Sequence, residues 1–184
     1  MAGDLLVAVV AHQGGNRRNL SPPVGWTAVP NSDSSNAKNV RIHAWYLIAG
    51  AGEPSSYTFA LTGGAGVDIA GGIVDVSGVS VATPINASDS QSNGGPQSPV
   101  TAPSVSTTVA NTLLLFGGAC NAGVTFTAPA PMSEQWDIAS SGSARVASEA
   151  ASQQLGSLGS TGTRVATASS NCRSVGLSIA IAPS

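Results

Sequence analysis

Hydrophobic and polar residues alternate with a period of two in several short stretches of this chain, which is typical of β-strands. The clearest stretch is 174–181, where small residues alternate with four aliphatic ones: Val175, Leu177, Ile179 and Ile181. It predicts a strand with one buried face and one face of small residues. The stretches 5–11 and 112–118 are continuous apolar runs, and they predict strands that are buried on both faces.

The stretch 39–62 predicts a β-hairpin. Its first half is dense in residues that favour strands: Val40, Ile42, Trp45, Tyr46, Leu47 and Ile48. The run ends in a segment with two glycines and Pro54, where the chain must turn. Residues 56–61 then alternate, which places Tyr57, Phe59 and Leu61 on one face. We expect this hairpin to lie at the centre of a β-sandwich.

Clusters of Gly, Pro, Ser and Asn predict the turns and loops. Residues 63–66 indicate a turn, and 67–76 indicate a strand in which Gly71-Gly72 marks a bulge or a close backbone approach. The stretch 86–104 contains little that a core would bury. We expect it to form a long surface crossover without regular structure, rich in Ser, Gly and Pro.

The second half of the chain continues the strand pattern. The stretches 145–151 and 164–168 predict outer strands, although 144–155 also has a weak helical spacing of apolar residues. About eleven short strands are predicted in all, separated by turn signals. This arrangement predicts an all-β fold, a single antiparallel β-sandwich of the jelly-roll kind that spans residues 1–184.

Charged residues are scarce, at 9% of the chain compared with roughly 25% in an average soluble protein. The formal net charge is −2, and the seven Lys and Arg residues are scattered, with Arg17-Arg18 as the only pair. Nucleic-acid binding needs a basic patch, so we expect no nucleic-acid partner. The run 5–11 is too short to span a membrane and follows no positively charged leader. This indicates no membrane partner, and it indicates either that the protein is not secreted by the usual route or that a leader has been removed.

Residues for catalysis or metal binding do not gather in the sequence. No G-x-S-x-G motif occurs, and the two histidines, His12 and His43, are far apart. Asp68 and Asp75 fall on opposite faces of one predicted strand. The segment 31–38 is spaced like a calcium loop but lacks the Gly and Glu that such a loop requires. We therefore expect no catalytic residue, no metal and no cofactor.

Two cysteines and three tryptophans leave alternatives open. Cys120 and Cys172 either pair across the sandwich in an oxidising environment or remain buried free thiols, and the free thiols are the favoured interpretation. Trp45 fits a core position inside its strand. Trp26 and Trp136 lie near predicted loops, and they are the candidates for stacking on the sugar rings of a glycan.

Several short motifs occur in an order that resembles a known module. In the first half they are Gly3-Asp4-Leu5-Leu6, Pro23-x-Gly25-Trp26-Thr27, Trp45-Tyr46, 49–51, Glu53-Pro54-x-x-Tyr57 and Thr83-Pro84-Ile85. In the second half they are Pro103-Ser104-Val105, Ala110-Asn111-x-Leu113-Leu114, Met132-x-Glu134 and Thr161-Gly162-Thr163. The set is similar to an uncharacterised β-sandwich module of actinobacteriophage virion proteins, from tails and minor capsid components, and of secreted bacterial surface proteins. The resemblance implies no enzymatic activity and no catalytic residues.

Modules of this kind usually have another strand before the segment that corresponds to Gly3-Asp4. A sandwich without that strand exposes an unpaired edge, so we expect a neighbouring chain to cover it. The first functional hypothesis is a non-enzymatic structural virion protein, a capsid decoration or tail-associated subunit, with other virion subunits and further copies of itself as partners. The alternative is a glycan-binding adhesin module on a phage tail or bacterial surface, located outside the cell and binding a host surface glycan.

Overall fold

A computed structural model describes residues 1–63 and 66–184 and shows a chain built almost entirely of antiparallel β-strands. Over these residues there are seventeen strands, many of only two or three residues, and one short 3₁₀ helix, Gly15–Arg17. The all-β sandwich prediction is confirmed, while the strand count is larger than the eleven expected. The turn predicted at 63–66 includes positions 64 and 65, which lie outside the described residues. Within the described part of the chain, no helix has the length and hydropathy needed to cross a membrane.

The first sheet is organised around strand β1 (Leu5–Gln13), which the apolar run 5–11 predicted. β1 pairs along its length with β5 (Val40–Ile48) on one side and with β7 (Ile69–Val76) on the other. Two short strands, β3 (Thr27–Ala28) and β4 (Ser34–Asn36), extend the sheet beyond β5. The start of the chain is therefore at the centre of a sheet, and the unpaired edge expected beside Gly3-Asp4 is not there.

The middle sheet has five strands, four of them from the second half of the chain. Its order is β13 (Ser133–Ala139), β14 (Ala147–Leu155), β11 (Thr112–Cys120), β17 (Ser174–Ile181) and β8 (Ile85–Ser92). A third sheet has the order β12 (Phe126–Thr127), β16 (Arg164–Cys172) and β9 (Gln97–Ala102). Two small ladders complete the chain, β2 (Asn19–Ser21) with β6 (Ala60–Thr62) and β10 (Ser106–Thr107) with β15 (Gly159–Ser160).

The middle sheet is covered on both faces. One face packs against the first sheet and forms a first core that includes Leu115, Leu177 and Ile179. The other face packs against the third sheet and forms a second core that includes Leu114 and Phe116. All eight residues of β17 are therefore buried: the predicted face of aliphatic residues packs in the first core, and the face of small residues is covered as well. The small residues there allow the third sheet to come close.

The predicted hairpin at 39–62 is wrong in its pairing. β5 forms as expected, but residues 56–59 are irregular and β6 pairs with β2 instead of with β5. β1 pairs with nine residues of β5 on one side, and β3 and β4 pair with β5 on the other side, so residues 56–61 find no free edge there. Tyr57, Phe59 and Leu61 do share one face, as predicted, because all three pack against the outer side of the first sheet.

The stretch 86–104, expected to be a structureless crossover, contains most of β8 and all of β9. β8 is an edge strand, so its polar side chains are not buried in a core, and some of them hydrogen-bond to the loop that precedes β4. The Ser88 and Ser90 hydroxyls donate to backbone carbonyls of Pro30 and Asn31, the latter at 2.7 Å. Polar composition therefore did not prevent strand formation, because backbone pairing with β17 satisfies the main chain.

Two strands expected at the outside of the sandwich lie inside their sheets. β14, over the predicted stretch 145–151, lies between β13 and β11, and the helical alternative for 144–155 is wrong. β16, over 164–168, lies between β12 and β9. The many Ala and Ser residues of β14 suit this place, because small side chains let stacked sheets approach on both faces.

A disulfide joins Cys120 of β11 to Cys172 of β16, with their Cα atoms 5.7 Å apart. The favoured interpretation of two free thiols is therefore wrong, and the alternative of a bridge across the sandwich is the one the structure has. The bond connects the middle sheet to the third sheet. Disulfides form and persist mainly in oxidising environments, including the cell exterior and the virion surface.

Candidate functional site

Two sheets end in unpaired strands on the same side of the molecule. Among the described residues, β7 pairs only with β1, and β13 pairs only with β14. The two edge strands pack against each other across the first core. We call this the open side, because β7 ends the first sheet and β13 ends the middle sheet there.

A cleft of about 570 Å³ runs along the open side. Its floor is the outer face of β7, and its walls are formed by residues 56–59 and 138–140. The large side chains that line it are mainly apolar: Tyr57, Phe59, Ile69, Ile73 and Ile138. The three isoleucines keep 37% to 39% of their surface exposed. We call this feature the apolar cleft.

Two glycines allow the close packing beneath the apolar cleft. A Cβ at Gly71 would overlap the backbone of β1, and a Cβ at Gly72 would lie 2.8 Å from the Trp136 ring. The β1–β7 register has no shift, so Gly71-Gly72 marks a close approach and not a bulge. Trp136 is half-buried between the sheets, and its indole N–H donates to the Ser148 hydroxyl at 3.3 Å. This candidate for sugar stacking is therefore part of the packing.

Trp26, the other candidate for sugar stacking, is only 7% exposed. Its ring meets Tyr57 and Phe59 edge to face, with centroids 5.0 and 5.5 Å away. Those two residues are half-exposed and line the apolar cleft, so Trp26 lies behind them. The Tyr57 hydroxyl donates to the Glu53 carboxylate, which fixes this wall. Sequence reasoning assigned Tyr57 and Phe59 to a hairpin, and only their place between Pro54 and Gly63 suggested a loop.

The two histidines meet on the outer face of the first sheet. His12 and His43 are buried, with their Nε2 atoms 3.2 Å apart. The His12 Nδ1–H donates to the Gln13 carbonyl at 2.9 Å, so His12 Nε2 accepts the proton of His43 Nε2. The His43 ring also stacks on Trp45 at 5.1 Å. The pair continues the aromatic cluster behind the apolar cleft.

The acidic side chain beside the histidine pair already has a partner, Arg41. Asp33 accepts two hydrogen bonds from Arg41, at 2.6 and 2.5 Å, and stays 3.6 Å from His43 Nδ1. Burial lowers the pKa of His43 to about 4 against the attraction of Asp33, and burial also lowers the pKa of His12. Both rings are therefore neutral at pH 7. Throughout the described residues, no three His, Cys, Asp or Glu side chains are arranged to hold a metal ion.

The acidic pair considered in the sequence does not form a site. Asp68 accepts a hydrogen bond from the Ser140 hydroxyl at 2.7 Å, next to the start of β7. Asp75 lies near the other end of β7, where the amino group of Met1 is 4.0 Å away. The two carboxylates therefore occupy opposite ends of one strand.

Three basic residues that are distant in sequence come together at one end of the sandwich. Arg17, Lys38 and Arg173 line a concave surface of about 580 Å³, together with Asn16 and Asn39. No acidic residue is part of this lining. We call it the cationic concavity. Sequence reasoning missed it because each residue belongs to a different loop, and only the pairing of the sheets brings these loops together.

Comparisons with protein-family models, with curated proteins and with solved structures found no match for this chain.

Proposed function

We propose that this chain is a non-enzymatic structural virion protein, a capsid decoration or tail-associated subunit that joins its neighbours through sheet edges. The observation that supports it best is the open side, where β7 and β13 each have one edge without a partner strand, beside the apolar cleft. An unpaired edge offers a row of backbone N–H and C=O groups to a strand of another chain.

β7 is the edge that we propose for strand addition. Soluble monomers commonly protect such edges with Lys, Pro, charges or bulges. β7 has eight residues, a regular register and one charged residue, Asp75, near its end. β13 carries Glu134 and Asp137 and has a bulge beside Trp136, so it is the better protected of the two edges.

The apolar cleft supplies a reason for a partner to bind there. A strand added beside β7 would cover Ile69 and Ile73, and side chains on its near face would enter the cleft beside Ile138. Burial of apolar surface stabilises an interface by about 25 cal/mol for each Å² removed from water. Backbone pairing would give orientation, and the isoleucines would give most of the binding free energy.

Two further features support a place on a particle outside the cell. The disulfide suits the oxidising environment that virions and surface proteins meet. The motif order resembles the virion module described above, although it supports only the class of protein.

The change Ile73→Lys tests assembly through β7. We expect the wild-type chain to self-associate in sedimentation velocity as its concentration rises, and we expect the charge that Ile73→Lys places on the edge strand to abolish this self-association. Val81→Lys is the control, because Val81 is 58% exposed and lies outside the strands. A wild-type chain that stays monomeric, with β7 amide exchange independent of concentration, would contradict the proposal.

Glycan binding is a second candidate function, because the half-exposed rings of Tyr57 and Phe59 line the apolar cleft. Aromatic rings of this kind bind the apolar faces of sugars. A glycan array tests it directly, and Tyr57→Ala should remove any binding that the array detects. Unchanged glycan binding by the Tyr57→Ala variant would place the sugar elsewhere.

A further inference from the structure

We infer that the cationic concavity binds the carboxylate or phosphate groups of an acidic polysaccharide. Its three basic side chains, Arg17, Lys38 and Arg173, make up three of the seven Lys and Arg residues of a chain whose net charge is −2. A concentration of positive charge in an otherwise acidic protein attracts anions to that place.

These cations have no internal partner. Among the described residues, ion pairs with Asp or Glu involve only the amino terminus, Arg41 and His43. The side chains of Arg17 and Lys38 are exposed, and Arg173 is half-buried. Their charges are therefore free for an external oxyanion, and bidentate hydrogen bonds from Arg suit carboxylate and phosphate groups equally well.

The backbone beneath the concavity is fixed. The amide of Asn16 donates to the Ala37 carbonyl at 2.8 Å, which holds the 3₁₀ helix against the turn before β5. A Cβ at Gly15 would overlap that carbonyl, so the approach requires glycine, and Gly15 has a φ of 51°.

The third basic residue is held just as firmly. Arg173 and Asn121 exchange two hydrogen bonds, at 2.9 and 3.1 Å, in the turn between β16 and β17. Asn36, at the end of β4, connects this turn to the turn before β5, because its side-chain amide donates to the Ser174 carbonyl at 3.3 Å. Three loops therefore keep their relative positions before any ligand arrives, which lowers the entropy lost on binding.

The chemistry favours an acidic polysaccharide over a nucleic acid. No aromatic side chain lines the concavity, so nothing there stacks on a base. Three cations are also few for a nucleic acid, which carries a phosphate on every nucleotide. A polysaccharide with anionic groups offers oxyanions to the three cations and hydroxyl groups to the neutral side chain of Asn16.

A titration followed by ¹H–¹⁵N NMR tests this inference with hexagalacturonate, inorganic phosphate and an oligothymidylate of the same charge. Hexagalacturonate should give saturable shifts at the amides of Arg17, Lys38 and Asn39, and the shifts should weaken as NaCl is added. Combining Arg17→Ala, Lys38→Ala and Arg173→Ala should weaken binding about tenfold, since each exposed pair contributes a modest amount.

Arg145→Ala is the matched control, because it removes an exposed arginine that does not line the concavity. An unchanged affinity in the triple variant, or an equal loss of affinity in Arg145→Ala, would overturn the site. Tighter binding of the oligothymidylate would overturn the polysaccharide assignment, and binding of phosphate alone would reduce the site to one for free anions. The concavity shares no lining residue with the apolar cleft, so these results do not bear on strand addition at β7.

Discussion

The two faces of the middle sheet are stabilised in different ways. The first core, against the first sheet, is made largely of Leu, Ile and Val, and a Cβ at Gly117 would lie 3.0 Å from both Val9 and Leu177. The second core, against the third sheet, contains many small residues and the disulfide: Ala102, Ala147, Ala151, Ala166, Ala168, Ala180 and Cys120–Cys172.

The difference shows two solutions to one packing problem. Large aliphatic side chains bury much apolar surface for each residue, so the first core needs no covalent link. Small residues bury less but let sheets come close, as at Gly176, where a Cβ would overlap the Thr101 carbonyl. We infer that the first core supplies most of the noncovalent stability and that the second core relies on its crosslink.

Removing a large side chain from the first core should have the largest effect. Leu177 is fully buried, and Leu177→Ala should lower the free energy of unfolding by about 4 kcal/mol, from lost apolar burial and the cavity left behind. Chemical denaturation measures the change. Leu158→Ala, at a residue that is 62% exposed, is the control and should change stability little. Equal effects of the two substitutions would contradict the assignment of Leu177 to a packed core.

Removing the crosslink should have the next largest effect. The double change Cys120→Ala and Cys172→Ala opens a link between residues 52 positions apart, and we expect a loss of about 3 kcal/mol from the greater freedom of the unfolded chain. Denaturation of the oxidised wild type and of the variant measures it. A reducing agent should lower the stability of the wild type alone, and a similar effect on the variant would mean that the loss has another origin.

A buried acid beside the second core should give the smallest effect, and one that depends on pH. Glu149 is fully buried without a hydrogen-bond partner, and burial, with Asp137 and Glu134 nearby, raises its pKa to about 8. The folded state therefore holds this proton more tightly than the unfolded state, where the pKa is near 4.5. The stability that this proton contributes is fully present below the unfolded-state pKa of 4.5, and it is lost as pH rises toward 8.

Glu149→Gln should remove this loss of stability. Between pH 5 and pH 7 the wild type should lose about 2 to 3 kcal/mol that the variant keeps, as measured by denaturation at a series of pH values. Asp89→Asn, at an exposed carboxylate of β8, is the control and should retain the wild-type pH dependence. A wild-type stability that does not fall across this range would mean that Glu149 has an internal partner.

The sequence predicted the strands well where apolar residues were dense. The runs at 5–11, 40–48, 112–118 and 174–181 all became long strands, because their buried side chains leave few other arrangements. β8 and β14 were missed or misplaced, since edge position and small-residue packing depend on partners far away in the chain. Strand pairing failed for the same reason, because 39–62 looked like a local hairpin while β1 was the better partner of β5.

The candidate sites were less predictable than the fold. Large aromatic residues near loops often bind sugars, which makes Trp26 and Trp136 candidates in the sequence. In the structure both side chains pack against residues that are distant in the chain, and the sequence does not show those contacts. Tyr57 and Phe59, which do line a cleft, were hidden in an apparent strand pattern. Arg17, Lys38 and Arg173 carry no local signal at all, because their meeting depends on the positions of three turns.

The bridge between Cys120 and Cys172 also has a mechanical consequence. When the ends of the chain are pulled, the segment between the two cysteines cannot extend, which withholds about 180 Å of contour length at roughly 3.4 Å per residue. Most of β16, all of β12, β13 and β14, and the hydrogen bonds between them lie within that segment. An oxidised molecule under tension would thus lengthen less than a reduced one, and the closed loop would keep the two ends of the chain joined by a shorter path.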